Sequence, residues 1–270
     1  MNLQGIFDTS APVVGMVHLP PLPGAPGFRS REHVRVRALA DARALESGGV
    51  DGLLVENFGD VPFYPDAVPR HAVAELTATA KTVADAVDLP VGVNVLRNDA
   101  ESALSVAAAV GGQFVRINCH VGAVVTDQGP LAGRAYETLR LRDRIDADVA
   151  VLADVGVKHA APLVDRPFEE RVSETVERGL ANGIVVSGPA TGAETPLERL
   201  RVAGELGDEH GVPVFAGSGV VPETVMDVFD AVDGAIIGTA LKEDGEVGNP
   251  VDEDQVRRLV ERVQEIRRDR

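Results

Sequence analysis

Two stretches, Val212-Pro-Val-Phe-Ala-Gly-Ser-Gly219 and Gly234-Ala-Ile-Ile-Gly-Thr-Ala240, decide how the fold is read. Each is a short apolar run ending in glycine, and one helix-sized gap separates them. Runs of this length bounded by turn residues read as buried parallel strands. In a (β/α)8 barrel the loops after strands 7 and 8 often hold a phosphate, because glycine-exposed N–H groups and the positive end of a short helix converge there. Gly217, Ser218, Gly219, Gly238 and Thr239 are therefore the candidate phosphate-binding residues. They suggest a sugar-phosphate or nucleotide ligand. The competing reading is that the glycines only make tight turns; two such ends at barrel spacing favour phosphate.

Outward from this pair, six more runs rich in Val and Ile complete a set of eight: 12–19, 52–57, 91–97, 114–119, 148–155 and 183–187, followed by 212–217 and 234–238. Their starts lie about 32 residues apart on average, the length of a strand, a helix and two loops in a barrel of this size. Helical patterns fill the gaps at 31–47, 71–87, 100–110, 134–145, 168–181, 197–210, 223–232 and 252–267. In the last of these, Val256, Leu259, Val260, Val263 and Ile266 recur on one face, acids open the segment and Arg267 and Arg268 close it, as the helix dipole favours. The expected fold is α/β, a single (β/α)8 TIM barrel spanning residues 1–270. An open doubly wound sheet is the runner-up. It would prefer a glycine fingerprint after the first strand, where Leu19-Pro-Pro-Leu-Pro-Gly-Ala-Pro26 stands instead.

Apolar residues make up 44% of the 270 and aromatics 4%, with no Trp, a composition suited to a parallel sheet covered by helices. The formal charge of −16 disfavours nucleic acid and anionic membranes as partners. Of 26 basic residues only Lys81, Lys158 and Lys242 are lysines. An acidic, lysine-poor surface points to an extreme halophile, whose salt screens self-repulsion over about 3 Å at 1 M. The single cysteine, Cys119, excludes an internal disulfide. No apolar run reaches membrane-spanning length and no basic-then-apolar leader is present, so the expectation is a cytoplasmic protein without membrane insertion.

Polar groups gather just where such a barrel would have its mouth, after the strand ends. In order they are His18; Glu56 and Asn57; Asn94 and Arg97; Arg116, Asn118 and His120; Asp154, Lys158 and His159; Ser187 and Thr191; Ser218; Thr239 and Lys242. Lys158 offers a tunable amine, with Asp154 as general base or as its orienter; Glu56 and His18 complete the candidate catalytic set. Asn94, Arg116, Asn118, His159, Ser187 and Thr191 are the candidate substrate-binding residues. Lys242, beside Gly238 and Thr239, is expected to be the counter-charge of a phosphate. Arg116 either clamps an anionic ligand or pairs with Glu56. Cys119 falls on the helix side of its strand and reads as a core residue. His18, Glu56, Asp154 and His159 have the ligand types of a divalent-metal site, but no short-spaced pair joins them, so no metal is assigned and no cofactor is required. Outward apolar faces leave a homo-oligomer open.

Seven motifs add a resemblance: Met16-Val-His-Leu-Pro-Pro-Leu-Pro-Gly24, Val55-Glu-Asn57, Val93-Asn-Val-Leu-Arg-Asn98, Val124-Val-Thr-Asp-Gln-Gly129, Ala153-Asp-Val-Gly-Val-Lys-His159, Val186-Ser-Gly-Pro-Ala-Thr-Gly192 and Gly238-Thr-Ala-Leu-Lys-Glu-Asp-Gly245. Nearly end to end, the chain resembles the BtpA/SgcQ family. The resemblance implies a phosphate-binding barrel similar to the ribulose-phosphate-binding ones. It also implies two uneven functional labels, biogenesis or stability of photosystem I in one branch and a nucleosidase or sugar-phosphate enzyme in the other. Gly156 departs from the family pattern, where a larger polar residue, often His, is expected. Two classes of function follow: an enzyme on a phosphorylated sugar or nucleoside-type substrate, with lyase, isomerase or epimerase, or nucleosidase chemistry; and, as the alternative, a non-catalytic factor for photosystem I.

Overall fold

The computed structural model describes residues 5–156, 160–188, 195–217 and 219–269. Lys158, His159, Thr191 and Ser218 lie outside these. In chain order the elements are β1 (Val13–His18), α1 (Arg31–Gly48), β2 (Gly52–Glu56), α2 (Arg70–Ala84), β3 (Val91–Asn94), α3 (Ala100–Val110) and β4 (Phe114–Ile117). A hairpin of β5 (Ala123–Thr126) and β6 (Gly129–Ala132) follows, then α4 (Ala135–Arg144), β7 (Ala150–Asp154) and the short β8 (Ala160–Pro162). The remainder is α5 (Phe168–Glu177), β9 (Gly183–Val186), α6 (Leu197–His210), β10 (Val214–Ala216), α7 (Val225–Ala231), β11 (Gly234–Ile237) and α8 (Glu253–Asp269).

Eight of these strands close a parallel barrel in the order β1, β11, β10, β9, β7, β4, β3, β2. Closure follows from registers such as His18 opposite Glu56 and Glu56 opposite Asn94, which align the strand ends into one rim. The eight strands are the eight anticipated runs, trimmed where the ladder stops. β3 ends at Asn94 rather than residue 97, because Val95 onward turns into the rim loop.

Period-two alternation sorts the strand residues. Val14, Met16, Leu54, Phe114, Val185 and Phe215 point into the barrel, while Val13, Val17, Leu53, Val55, Val115 and Ile184 face the helices. Phe7, from the segment before β1, plugs the N-terminal end, its ring centroid 5.7 Å from that of Phe114 and 6.1 Å from that of Phe215. Strand glycines make room for these rings. A Cβ on Gly92 would sit 2.2 Å from the Phe114 ring, and one on Gly234 2.5 Å from the Phe215 ring.

The anticipated repeat did not include β5, β6 and β8. They form a separate three-stranded antiparallel sheet, in the order β6, β5, β8, built from the loops after β4 and β7. Both loops leave the C-terminal ends of barrel strands, so this sheet stands beside the mouth. Among the described residues, no helix is long and apolar enough to cross a membrane.

Candidate functional site

The inward face of each barrel strand changes character at its C-terminal end. His18 follows Met16 on β1, Glu56 follows Leu54 on β2 and Asp154 follows Leu152 on β7, so the last inward position becomes polar in strands otherwise apolar. These ends surround a cavity of about 610 Å3 lined by His18, Glu56, Arg97, Arg116 and Asn118, with Gly217, Gly219, Gly238 and Thr239 on its β10–β11 side. In the circular order β11 stands opposite β4 and β10 opposite β3. The glycine wall therefore faces the wall that carries Arg116 and leads into Arg97.

One half of the polar ring is an ion-pair network. Arg116 donates from Nε to Asp154 Oδ1 at 2.8 Å and from its terminal nitrogen to Asp154 Oδ2 at 3.0 Å and to Ser187 Oγ at 3.2 Å. Asn118 Nδ2 adds a third donor to Asp154, at 3.1 Å from Oδ2. Burial works to lower the Arg116 pKa, but the charge and hydrogen bonds of Asp154 outweigh it and the net direction is upward. Asp154 is thus the counter-ion of Arg116, its two oxygens occupied by three donors, which leaves it poorly disposed to act as the general base. Glu56 is not the ion-pair partner of Arg116, because β4 adjoins β7 in the barrel while β2 lies beyond β3.

The other half carries Glu56, which accepts a 2.6 Å hydrogen bond from Asn94 Nδ2 on one oxygen and faces His18 Nε2 at 3.8 Å with the other. The His18 ring packs on Phe58, with centroids 4.6 Å apart and planes inclined by 36°. A Cβ on Gly238 would come within 2.9 Å of His18 Cε1, so the histidine rests directly on the glycine backbone. At Gly217 a Cβ would meet Ser187 Oγ at 2.6 Å and the Arg116 guanidinium at 3.3 Å. Glycine is required at both wall positions for close approach rather than for turning.

Arg97 is a cation of the cavity wall. Burial pulls its pKa down, opposed by the charges of Asp154, Asp127 and Glu56, and a guanidinium stays protonated at neutral pH. The loop bearing it is clamped by Asn57, whose Oδ1 accepts from Leu96 N at 2.7 Å while its Nδ2 donates to Leu96 O at 3.3 Å.

Two expected mouth residues are elsewhere. Lys242 does not line the cavity: after the 3-10 turn Thr239–Leu241 the chain leaves the rim, and Lys242 is fully buried in the helix layer, donating to Asp41 Oδ2 of α1 at 3.0 Å. Asp41 also accepts from Arg37 Nε and Val251 N, both at 3.0 Å, so this lysine ties α1 to the segment before α8. His120 turns away as well. Its Nε2 lies 2.8 Å from the Gly179 carbonyl, which can only accept, and burial lowers its pKa. Cys119 is buried, its thiol pushed up to about 11 by desolvation. Among the described residues no cluster of three metal-ligating side chains forms.

The sequence reading did not single out Phe58, Phe63 or Asp127, all of which line the cavity. The two phenylalanines carry a legible signal, since a chain with eight Phe places two of them in one polar loop after β2. Asp127 sits at the turn of the β5–β6 hairpin, and its position depends on a sheet that no local pattern announces.

Residues 9–265 match the BtpA family. A curated relative, the photosystem I biogenesis protein BtpA of Synechocystis sp., is 42% identical over 98% of this chain and 92% of its own length. SgcQ, a protein of the sgc region of Escherichia coli, is 30% identical over 98% of this chain and 99% of its own. Among solved structures, a thiamine phosphate pyrophosphorylase from Pyrococcus furiosus superposes with a TM-score of 0.58 at 15% identity, covering 95% of this chain and 96% of that one. A phosphoribosyl anthranilate isomerase from Thermus thermophilus gives 0.58 at 14% identity, covering 95% and 100%. At such identities the likeness concerns the barrel fold alone. By sequence, the chain belongs to the BtpA family.

Proposed function

We propose that the mouth binds a small phosphorylated sugar or nucleoside-type molecule and that the protein is an enzyme acting on it. The observation carrying this reading is the cavity itself, glycine-walled at β10 and β11 and faced across the barrel by charged and amide groups. Phosphate would lie against the backbone at Gly217, Gly219, Gly238 and Thr239, with Ser218, outside the described residues, in the same loop. Because Lys242 is paired with Asp41, the donors at that end would be backbone N–H groups, and Arg97 would supply positive charge from the cavity wall. The rest of the ligand would meet Asn94, Arg97 and Arg116.

Glu56 and His18 are the proton-handling pair in this reading. One Glu56 oxygen is fixed by Asn94 while the other faces the imidazole, and both residues line the cavity. Such a pair can remove a proton beside a carbonyl and return it elsewhere, as isomerisation, epimerisation and carbon–carbon cleavage require, or can assist departure of a nucleobase. Lys158, outside the described residues, follows β7 in sequence and would add an amine. The names of the two solved barrels, both enzymes of phosphorylated compounds, support the ligand class. A second reading, a factor for photosystem I biogenesis, is favoured by the name of the Synechocystis relative. Co-purification of photosystem subunits with the tagged protein from a photosynthetic host would support it.

The enzyme reading is tested by thermal shift in molar KCl free of phosphate and sulfate, against pentose and hexose phosphates, nucleosides and nucleotides. A ligand at 100 times its Kd adds about 2.7 kcal/mol, enough to raise the midpoint by several degrees in a chain of this size. Turnover of the stabilising compound should fall at least a hundredfold in Glu56→Gln. A folded protein that responds to no phosphorylated compound would overturn the proposal.

A further inference from the structure

Under the small antiparallel sheet lies a second cavity, of about 220 Å3, separated from the mouth by Asn118 and Asp154. Asn118 lines both spaces. Its Nδ2 is committed to Asp154, but its Oδ1 is buried with no hydrogen-bond partner. A buried acceptor of this kind calls for a donor that the described residues do not supply.

Arg171 and Gly156 line this cavity, as does Arg166 paired with Glu174, and Arg199 stands outside it beside Gly156. Arg171 lies in the opening turn of α5 and Arg199 in that of α6. Both reach toward Gly156 at the end of β7, where a Cβ would stand 3.8 Å from an Arg171 terminal nitrogen and 3.7 Å from an Arg199 one. Two guanidinium groups thus close on one point. Gly156 itself has φ of +88°, a conformation that admits glycine without strain and leaves that point open.

Among the described residues neither guanidinium has a carboxylate partner. The neighbouring acids are engaged elsewhere: Glu170 and Glu174 with Arg166 at 3.1 and 2.6 Å, and Glu198 with Arg201 at 3.9 Å. Asp165 opposes the charge of Arg171 from a distance, without an ion pair. Arg199 packs on the Phe168 ring, 5.1 Å from its centroid, which orients the guanidinium and leaves its charge uncancelled. Burial and the like charge of Arg199 both lower the Arg171 pKa. Opening turns of helices already favour anions over cations. Two unneutralised arginines there, in a chain with a large excess of acids, form a site whose complement is a dianion.

We infer that the crevice over Gly156 is a second anion-binding site, taking a phosphate group between Arg171 and Arg199. Two guanidinium forks match the charge and the paired oxygens of a phosphate dianion, and a ligand N–H or O–H reaching inward would satisfy Asn118 Oδ1. The site is distinct from the glycine wall of the mouth and stands whether or not that wall holds phosphate.

The test is equilibrium dialysis of the full chain against labelled inorganic phosphate at fixed KCl, counting sites per chain. With both readings correct, the native protein binds two phosphates, Arg171→Gln/Arg199→Gln binds one and Gly238→Asp binds the other one. Arg199→Gln alone, at an exposed position whose one ring contact is with Phe168, should weaken the crevice site at least threefold, and Arg199→Lys less. Circular dichroism confirms that each variant is folded. One site in the native protein, lost in the double variant and kept in Gly238→Asp, upholds the crevice and overturns the mouth. Unchanged stoichiometry and affinity in both Arg199→Gln and the double variant overturns the crevice.

Discussion

The two ends of the barrel are made by the same eight strands under the same alternation, and they differ in what the inward positions carry. At the N-terminal end Phe7, Phe114 and Phe215 meet over strand glycines and fill the interior with hydrocarbon. At the C-terminal end the inward positions are His18, Glu56, Asn94, Arg116 and Asp154, and glycines after β10 and β11 line the cavity. Glycine admits a close neighbour at both ends, but a different one: an aromatic ring at Gly92 and Gly234, and the polar side chains of Ser187 and His18 at Gly217 and Gly238. The closed end supplies the stability that lets the open end hold buried charges.

The largest effect should come from the closed end. Phe114→Ala removes a fully buried ring at the centre of the plug and should lower stability by about 4 kcal/mol, measured by urea denaturation, with ligand affinity per folded molecule unchanged. A change in affinity comparable to that at the mouth would show that the two ends are not separable. Next comes Asp154→Leu, which strands the buried Arg116 guanidinium and should destabilise by about 3 kcal/mol. Combining it with Arg116→Met should recover most of that loss while abolishing ligand binding, the signature of groups kept for function rather than for stability.

Lys242→Met should cost about 2 kcal/mol, less than the mouth pair because Asp41 keeps Arg37 and Val251 N as partners. Ligand-induced stabilisation should persist undiminished in this variant; its loss would return Lys242 to the phosphate site. The smallest effect belongs to the helix layer, away from both ends. The Asp252 side chain accepts from Gln255 Nε2 and from the Asp254 and Gln255 N–H groups at the start of α8. These bonds, the Gln255 side chain first, hold its pKa below the ordinary value. A depressed carboxylate pKa stabilises the fold above the unfolded value and ceases to do so as pH falls through the folded one. Asp252→Ala should therefore cost about 1 kcal/mol at pH 7, and the difference from the native protein should shrink below pH 4.

The same contrast explains what could be read before the structure. Barrel strands announce themselves because each is a local apolar run with a fixed spacing, and the polar inward ends follow from period two once the strands are placed. Nearness in sequence to Gly238 and Thr239 points Lys242 to the mouth, but it does not reveal which way the chain leaves a 3-10 turn. Strand alternation puts both Asp154 and Arg116 at the mouth, but their pairing depends on β4 and β7 being neighbours across an inserted hairpin. That hairpin and β8 were illegible for a similar reason: the strands are three or four residues long, and Val124 pairs with Pro162 far along the chain. Phe58 and Phe63 needed only attention to where scarce aromatics are spent.

The most direct measurement is a crystal structure of the protein grown without phosphate or sulfate and then soaked with the compound that gives the largest thermal shift. The phosphate group should lie within hydrogen-bonding distance of the backbone N–H groups at Gly219 and Thr239, with the rest of the molecule directed toward Glu56 and His18. A well-ordered ligand bound elsewhere, with the β10–β11 wall filled only by water, would contradict the assignment of the mouth as the functional site.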